Sequence, residues 1–151
     1  MPSLFQAHAR GSLRERLTHL DPEAPARWGR FTAPKMLTHV NDGLRMALGD
    51  LPTVSKRLPL RYPPLKQLVV YLLPFPKGAP TSRELLARVD RADRGQWPAE
   101  VAAFSELLDR AGAKAGSRDW PLHPAFGRLS ARAWGVLAYR HVDHHLSQFG
   151  V

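Results

Sequence analysis

The sequence predicts an all-α protein, a four-helix bundle with a long proline-rich crossover connection. Four segments carry apolar residues at helical spacing, and few segments alternate apolar and polar residues as a half-buried strand would. Seven of the 14 prolines lie between Pro52 and Pro80, a density that excludes a long helix there. With 151 residues, of which 44% are apolar, the chain is long enough to bury a core, so we expect one domain over residues 1–151.

The first two helices are predicted from their caps and apolar faces. The first is expected from Ser12 to Leu20, with Ser12 as its N-cap. The second is expected from about Thr32 to Leu48, because Thr32 can cap it and Pro34 suits its first turn. Gly49 is the expected C-terminal stop of this helix.

The crossover is expected to hold only short elements. Its most apolar stretch, Leu65 to Leu73, is long enough for a short helix. A capping box is predicted where Thr81 precedes Glu84 by three residues. The Lys77-Gly78 turn before Thr81 suggests either an anion site or a plain proline-rich turn.

Two further helices follow the crossover. One is predicted from Pro98 to about Ala111, because proline suits a helix start and Gly112 follows as a stop. The last is predicted to open at Ser130 and to reach Gln148.

Composition narrows the function classes. The chain has no cysteine, which excludes a disulfide framework, a thiolate metal site and a cysteine nucleophile. The longest apolar run, Leu68 to Leu73, is far shorter than a membrane span, and the N-terminus lacks a signal-peptide pattern. A soluble cytoplasmic protein is therefore expected.

The net charge is +9, yet the 17 arginines are scattered and no nucleic-acid-binding motif is present. We therefore expect neither a nucleic acid nor a membrane as partner.

Three histidines are the candidate metal ligands. His141 and His145 are four residues apart on the fourth helix, so both lie on its apolar face. His39 lies among the apolar residues of the second helix, and helical bundles build metal sites from side chains on facing helices. A three-histidine site with open positions is the catalytic pattern. The alternative is that these are ordinary core histidines satisfied by hydrogen bonds.

Other polar residues have more open roles. His144 lies at the edge of the same helix face and is expected near the site or at the surface, whereas His8 and His19 are expected at the surface. His123 precedes the fourth helix and is a candidate for the site mouth. Asp42, one turn after His39, is either a carboxylate supporting the site or an ordinary surface residue.

Several motifs together resemble the DinB-like superfamily, whose four-helix bundles hold a metal ion with three histidines. They are Trp28-Gly29-Arg30-Phe31, then Met36-Leu37-Thr38-His39, and the pattern H-x-x-H-H-x-x-Q over His141–Gln148. The loop from His123 to Leu129 and the C-terminal Gln148-Phe149-Gly150-Val151 resemble one poorly characterised branch. The resemblance implies that His39, His141 and His145 are the metal ligands. Leu146 stands where many relatives carry an arginine.

The resemblance also implies a chemistry. Characterised relatives are often metal-dependent S-transferases or isomerases that use a low-molecular-weight thiol. A chain without cysteine would take that thiol from a cosubstrate. Histidine nitrogens suit zinc, nickel, copper or iron(II), and because the chain offers no thiolate we expect zinc or nickel. We also expect a small-molecule substrate. A hydrolase that activates water at the metal and a non-enzymatic metal-binding or ligand-binding protein remain open, and a homodimer is compatible with the sequence.

Overall fold

The structure is a computed structural model that describes residues 1–56, 58–75, 77 and 83–151. Over these residues the chain is helical and forms no strand, with only an isolated bridge between His123 and Gly127. The expected all-α class is therefore confirmed. In the described ranges no helix has both the length and the apolar composition needed to cross a membrane.

Four long helices and one short helix, named here in chain order, form the framework of the fold. They are α1 Ala7–Thr18, α2 Ala33–Leu48, α3 Leu65–Gln67, α4 Trp97–Ala113 and α5 Ala131–Gln148. A π-helical turn, Leu68–Leu72, continues α3. Single 3₁₀ turns lie at Pro59–Arg61, Arg83–Leu85, Val89–Arg91 and Arg94–Gln96.

The predicted cap of α2 and the predicted opening of α5 at Ser130 are confirmed. The Thr32 hydroxyl accepts a hydrogen bond from the Lys35 amide, and the Ser130 hydroxyl accepts one from the Ala133 amide. Gly49 ends α2 in the left-handed conformation, with φ of +93°, which favours glycine. The capping box predicted at Thr81 lies outside the described residues.

The predicted start of the first helix at Ser12 was wrong. Helix α1 begins five residues earlier, at Ala7, and Ser12 lies exposed inside it. The reason is tertiary: Ala9 continues the buried face of Leu13 and Leu17 backward by one turn, and packing of that face outweighs the local capping preference of serine.

Helix α2 is the centre of the molecule. It packs against α4 and α5, and α1 packs against the same two helices. One apolar cluster fills the space between these four helices, and a second joins α5 to the crossover around Val70 and Trp134. As a result, polar residues in the middle of α2 are buried too, among them Thr38, His39, Asn41 and Asp42. The buried His39 is the residue that α2 contributes to the candidate site described below.

Candidate metal centre

The three predicted histidines meet between α2 and α5. His39 comes from the middle of α2, and His141 and His145 come from successive turns of α5. Each offers a ring nitrogen, and these three nitrogens lie within 4.8 Å of one another. The Nε2 atoms of His39 and His141 are 3.1 Å apart. The side chain of His39 is 3% exposed, while the other two are partly exposed, so the cluster is buried on the α2 side and accessible on the α5 side.

Gln148 fixes the ring of His145. The amide nitrogen of Gln148 donates to the carbonyl of Trp28 at 2.6 Å, which leaves its Oε1 as acceptor toward His145 Nδ1 at 3.0 Å. Because Nδ1 then carries the proton, the lone pair of His145 lies on Nε2, the atom free to bind a metal. Gly29 permits this contact: a Cβ there would lie 2.5 Å from the Gln148 amide nitrogen, and its φ is +81°.

Gly43 makes room for His141. It lies one turn after His39, and a Cβ at this position would be 2.9 Å from Cε1 of His141. The imidazole of α5 therefore packs directly against the α2 backbone. The sequence reasoning missed this residue, although a glycine in the interior of an otherwise regular helix is a signal of close packing.

Aromatic rings surround the histidines. The ring centroid of Phe31 is 5.3 Å from that of His39 and 6.0 Å from that of His145. On the other side Phe75 faces His141 at 6.4 Å and His144 at 5.8 Å. These walls shield the cluster from water and lower the local dielectric constant, so charge on the histidines is disfavoured.

Burial accordingly lowers the pKa of all three histidines. The pKa of His145 falls to about 3, chiefly by burial and further by the neighbouring His39. The pKa of His141 lies well below 6.5, for the same reasons. Burial also lowers the pKa of His39, against opposing contributions from the backbone of Leu85 and the charge of Asp42. The three rings are thus neutral near pH 7, which is the form that binds metal.

Arg140 holds the crossover against α5. Its guanidinium donates to the carbonyl of Val69 at 2.8 Å and also to the carbonyls of Val70 and Leu73. The same guanidinium lies 5.2 Å from the ring centroid of Phe75. Arg140 therefore positions the aromatic wall over His141, a role that the sequence did not reveal.

Asp42 is 2% exposed, so its interpretation as an ordinary surface residue is wrong. Its Oδ1 accepts hydrogen bonds from Arg45 at 2.8 Å and from Arg88 at 2.6 Å. It does not join the group of candidate ligands found among the described residues. Its charge nonetheless raises the pKa of His39, so it acts on the site from a distance.

The remaining histidines lie at the edge of the cluster, in the turn before α5, or on the protein surface. His144 is partly exposed at the rim, with its ring near those of Trp28 and His145. His123 does not join the cluster. Its Nδ1 accepts from the amides of Ala125 and Phe126, and burial lowers its pKa to about 3, so it holds the turn before α5. His8 and His19 are exposed, as expected.

Two other expectations involve residues near the site. Leu146 is buried in the apolar core, so the position after His145 does not contribute to the site opening. The ammonium of Lys77 lies 4.5 Å from the ring centroid of Trp28. Gly78 and Thr81, the other parts of the suggested anion site, lie outside the described residues.

Fold and site together define an all-helical protein with a buried, neutral three-histidine cluster. In a comparison with protein families, the family described as "Protein of unknown function (DUF1569)" matches residues 3–150. The chain therefore belongs to the DUF1569 family. Searches of curated proteins and of solved structures found no match.

Proposed function

We propose that this chain is a metalloprotein of the DinB-like type, a four-helix bundle in which His39, His141 and His145 hold one divalent ion, zinc or nickel. The observation that carries the proposal is the convergence of three neutral ring nitrogens within 4.8 Å. The spacing of one pair of these donors fits such an ion. Two nitrogens on one tetrahedral zinc, each about 2.05 Å from it, are about 3.3 Å apart, and His39 Nε2 and His141 Nε2 are 3.1 Å apart.

The surroundings fit a reactive centre better than a closed structural one. Three histidines leave part of a metal's coordination open, and His141 and His145 are partly exposed to solvent. A metal ion held there would lower the pKa of a bound thiol or water and keep it as the anion. Phe31 and Phe75 exclude bulk water from that position, and Gln148 keeps His145 in the binding tautomer.

For the reaction we propose transfer of a low-molecular-weight thiol to a small electrophile. The chain has no cysteine, so the thiol comes from a cosubstrate. A water molecule held by the ion attacks more readily when a nearby general base takes its proton, and a free carboxylate is one candidate for that base. The carboxylates near the cluster are engaged elsewhere: Asp42 by Arg45 and Arg88, and Asp143 by Arg16. A free thiol ionises at about pH 8.5, roughly seven units below bulk water, so it releases its proton to solvent with less help from such a base, which supports the transferase over the hydrolase.

The test is a panel of cellular thiols titrated into cobalt-substituted protein, followed by visible spectroscopy and calorimetry. We expect at least one thiol to add a sulfur-to-metal charge-transfer band and to bind in a one-to-one ratio. His141→Ala protein should show neither signal. If no thiol binds the metal-loaded protein while metal binding itself is intact, thiol transfer is wrong and activation of water takes its place.

A further inference from the structure

The charged residues of the crossover are all basic. Residues 51–83 contain none of the 13 Asp and Glu residues of the chain but six of its 22 Lys and Arg residues. This stretch therefore supplies six of the nine net positive charges. Asp50 and Glu84 flank it directly, so the acidic residues stop at its edges.

The same stretch carries most of the exposed apolar side chains. Over the described ranges nine large apolar residues are exposed, and seven of these lie between residues 54 and 73. The seven are Val54, Leu58, Tyr62, Leu65, Leu68, Leu72 and Leu73. We call these seven residues, with the neighbouring Lys56, Arg61 and Lys66, the crossover surface. So dense a group of exposed apolar side chains marks a contact site, since single exposed ones are normally scattered.

The segment that carries the crossover surface has one exposed side and one buried side. Leu65, Leu68 and Leu72 follow one another at intervals of three and four residues, which places them on one side of the short helix and its π-helical turn. Val70 is buried against the second apolar cluster on the opposite side. Tyr62 and Leu72 are each 69% exposed, so they project outward and do not line a groove.

The segment is held firmly on the body of the protein. Arg140 satisfies the carbonyls at the end of the π-helical turn, and the ammonium of Lys66 donates to the Arg128 carbonyl at 3.0 Å. The carbonyls of Val69, Val70 and Leu73 are thus already paired. Paired carbonyls are what an apolar environment requires, because an unpaired backbone group there is costly.

We propose that the crossover surface docks on an anionic lipid bilayer, with its leucines in the interfacial region and its basic residues on the lipid headgroups. Basic charge beside projecting leucines and a tyrosine is the pattern of proteins that lie on such surfaces. Polar nucleic acid offers no place for the leucines. The expectation of no membrane partner was based on the lack of a spanning segment, which surface docking does not need.

Charge argues against a second copy as the occupant. A symmetric dimer through this surface would bring two acid-free basic segments together. The rest of the chain carries 16 Lys and Arg against 13 Asp and Glu, so it is also net positive and offers no strongly acidic counterpart. A bilayer rich in anionic lipid complements both the charge and the apolar side chains.

The experiment is co-sedimentation of the whole protein with phosphatidylcholine vesicles, prepared with and without phosphatidylglycerol. We expect binding to be about tenfold or more tighter with the anionic lipid and to weaken as salt is raised. The double variant Leu68→Ser/Leu72→Ser should lose most of this binding, whereas Leu122→Ser, at a leucine that is 49% exposed elsewhere, should keep it. Lys56→Glu should weaken binding more than Arg118→Glu, which changes the net charge equally at an exposed site outside the stretch.

Each other outcome overturns the proposal. Equal losses in the crossover variants and their controls would mean nonspecific attraction by the net charge. Binding to duplex DNA without binding to anionic vesicles would assign the basic residues to nucleic acid. A dimer in sedimentation velocity that the double leucine variant abolishes, together with no vesicle binding, would assign the surface to a second copy. Circular dichroism of each variant checks that it is folded. None of these binding experiments depends on a bound metal ion.

Discussion

Gly43 shows how a single missing side chain shapes the candidate site. We expect Gly43→Ala to weaken metal binding by about tenfold or more, the range for changes that disturb the support of a metal ligand. The added Cβ would lie 2.9 Å from Cε1 of His141, so the ring must move away from its place beside His39. Competition with a chromophoric chelator measures the affinity.

The matched control is Gly11→Ala, in the exposed part of α1, where a Cβ would meet nothing within 4 Å. This variant should keep its metal affinity and gain up to about 1 kcal/mol of stability from helix propensity. Wild-type affinity in the Gly43→Ala protein would contradict the packing of His141 against α2.

At the residue scale, the sequence predicted the three clustered histidines better than the residues that support them. His141 and His145 followed from their helical spacing, because an i, i+4 pair shares a face in any helix. The contact between Gly43 and His141 and the wall formed by Phe75 join residues far apart in the chain. Such contacts depend on how the elements pack, which local patterns do not encode.

The turn from Arg83 to Arg91 acts on the site as an element. Arg88 binds Asp42 on α2 and Glu100 on α4, and so holds this turn against both helices. The turn brings the backbone of Leu85 close enough to raise the pKa of His39. His39 Nδ1 is buried and has no hydrogen-bond partner among the described residues, so its ring is held mainly by packing.

We therefore expect Arg88→Met to weaken metal binding although it removes no ligand. It should also cost about 2 kcal/mol of stability, because the buried carboxylate of Glu100 loses its cation and that of Asp42 keeps only Arg45. Arg88→Lys should restore part of both losses. Arg91→Met, at an exposed position of the same turn, is the control and should change neither.

Metal titrations well below each melting temperature separate the two effects of Arg88, and nitrogen NMR shifts of the His39 ring report its tautomer. If Arg88→Met lowers stability but leaves both the affinity and the His39 shifts unchanged, the turn is structural only.

Among the elements, α2, α4 and α5 were predicted within two residues at each end. The cap and stop of α2 coincide with the ends of its apolar face, but the predicted stop of α4 at Gly112 was wrong, because that helix continues through Gly112 to Ala113. The first helix was not predicted this closely, since its start depends on packing of Ala9 and no capping residue marks it. The proline density correctly excluded a long helix in the crossover. The π-helical turn that follows α3 had no local signal.

For the whole molecule, the buried histidines predict acid sensitivity of the metal-free protein. His39, His123, His141 and His145 all have a folded-state pKa below 6.5. In the unfolded chain they titrate near 6.5, so below that pH the unfolded state binds more protons. Their contribution to stability is therefore complete above pH 6.5 and is lost as the pH falls toward the folded-state values.

Denaturant unfolding in the presence of a chelator, at pH values from about 7.5 to 5, measures this loss. The variant His8→Gln/His19→Gln, altered at exposed histidines, should follow the wild-type profile. A stability that stays constant across this range would show that the cluster is not buried in its neutral form.

We propose above that three histidines from two helices jointly hold one divalent ion. Elemental analysis and metal titration of the wild-type chain and its alanine variants test it most directly. We expect one ion per wild-type chain and a metal-dependent rise in melting temperature. The variants His39→Ala, His141→Ala and His145→Ala should lose most of the metal, whereas His144→Ala and His8→Ala should retain it. If His39→Ala binds one ion with unchanged affinity, α2 contributes no ligand and the account of the site is contradicted.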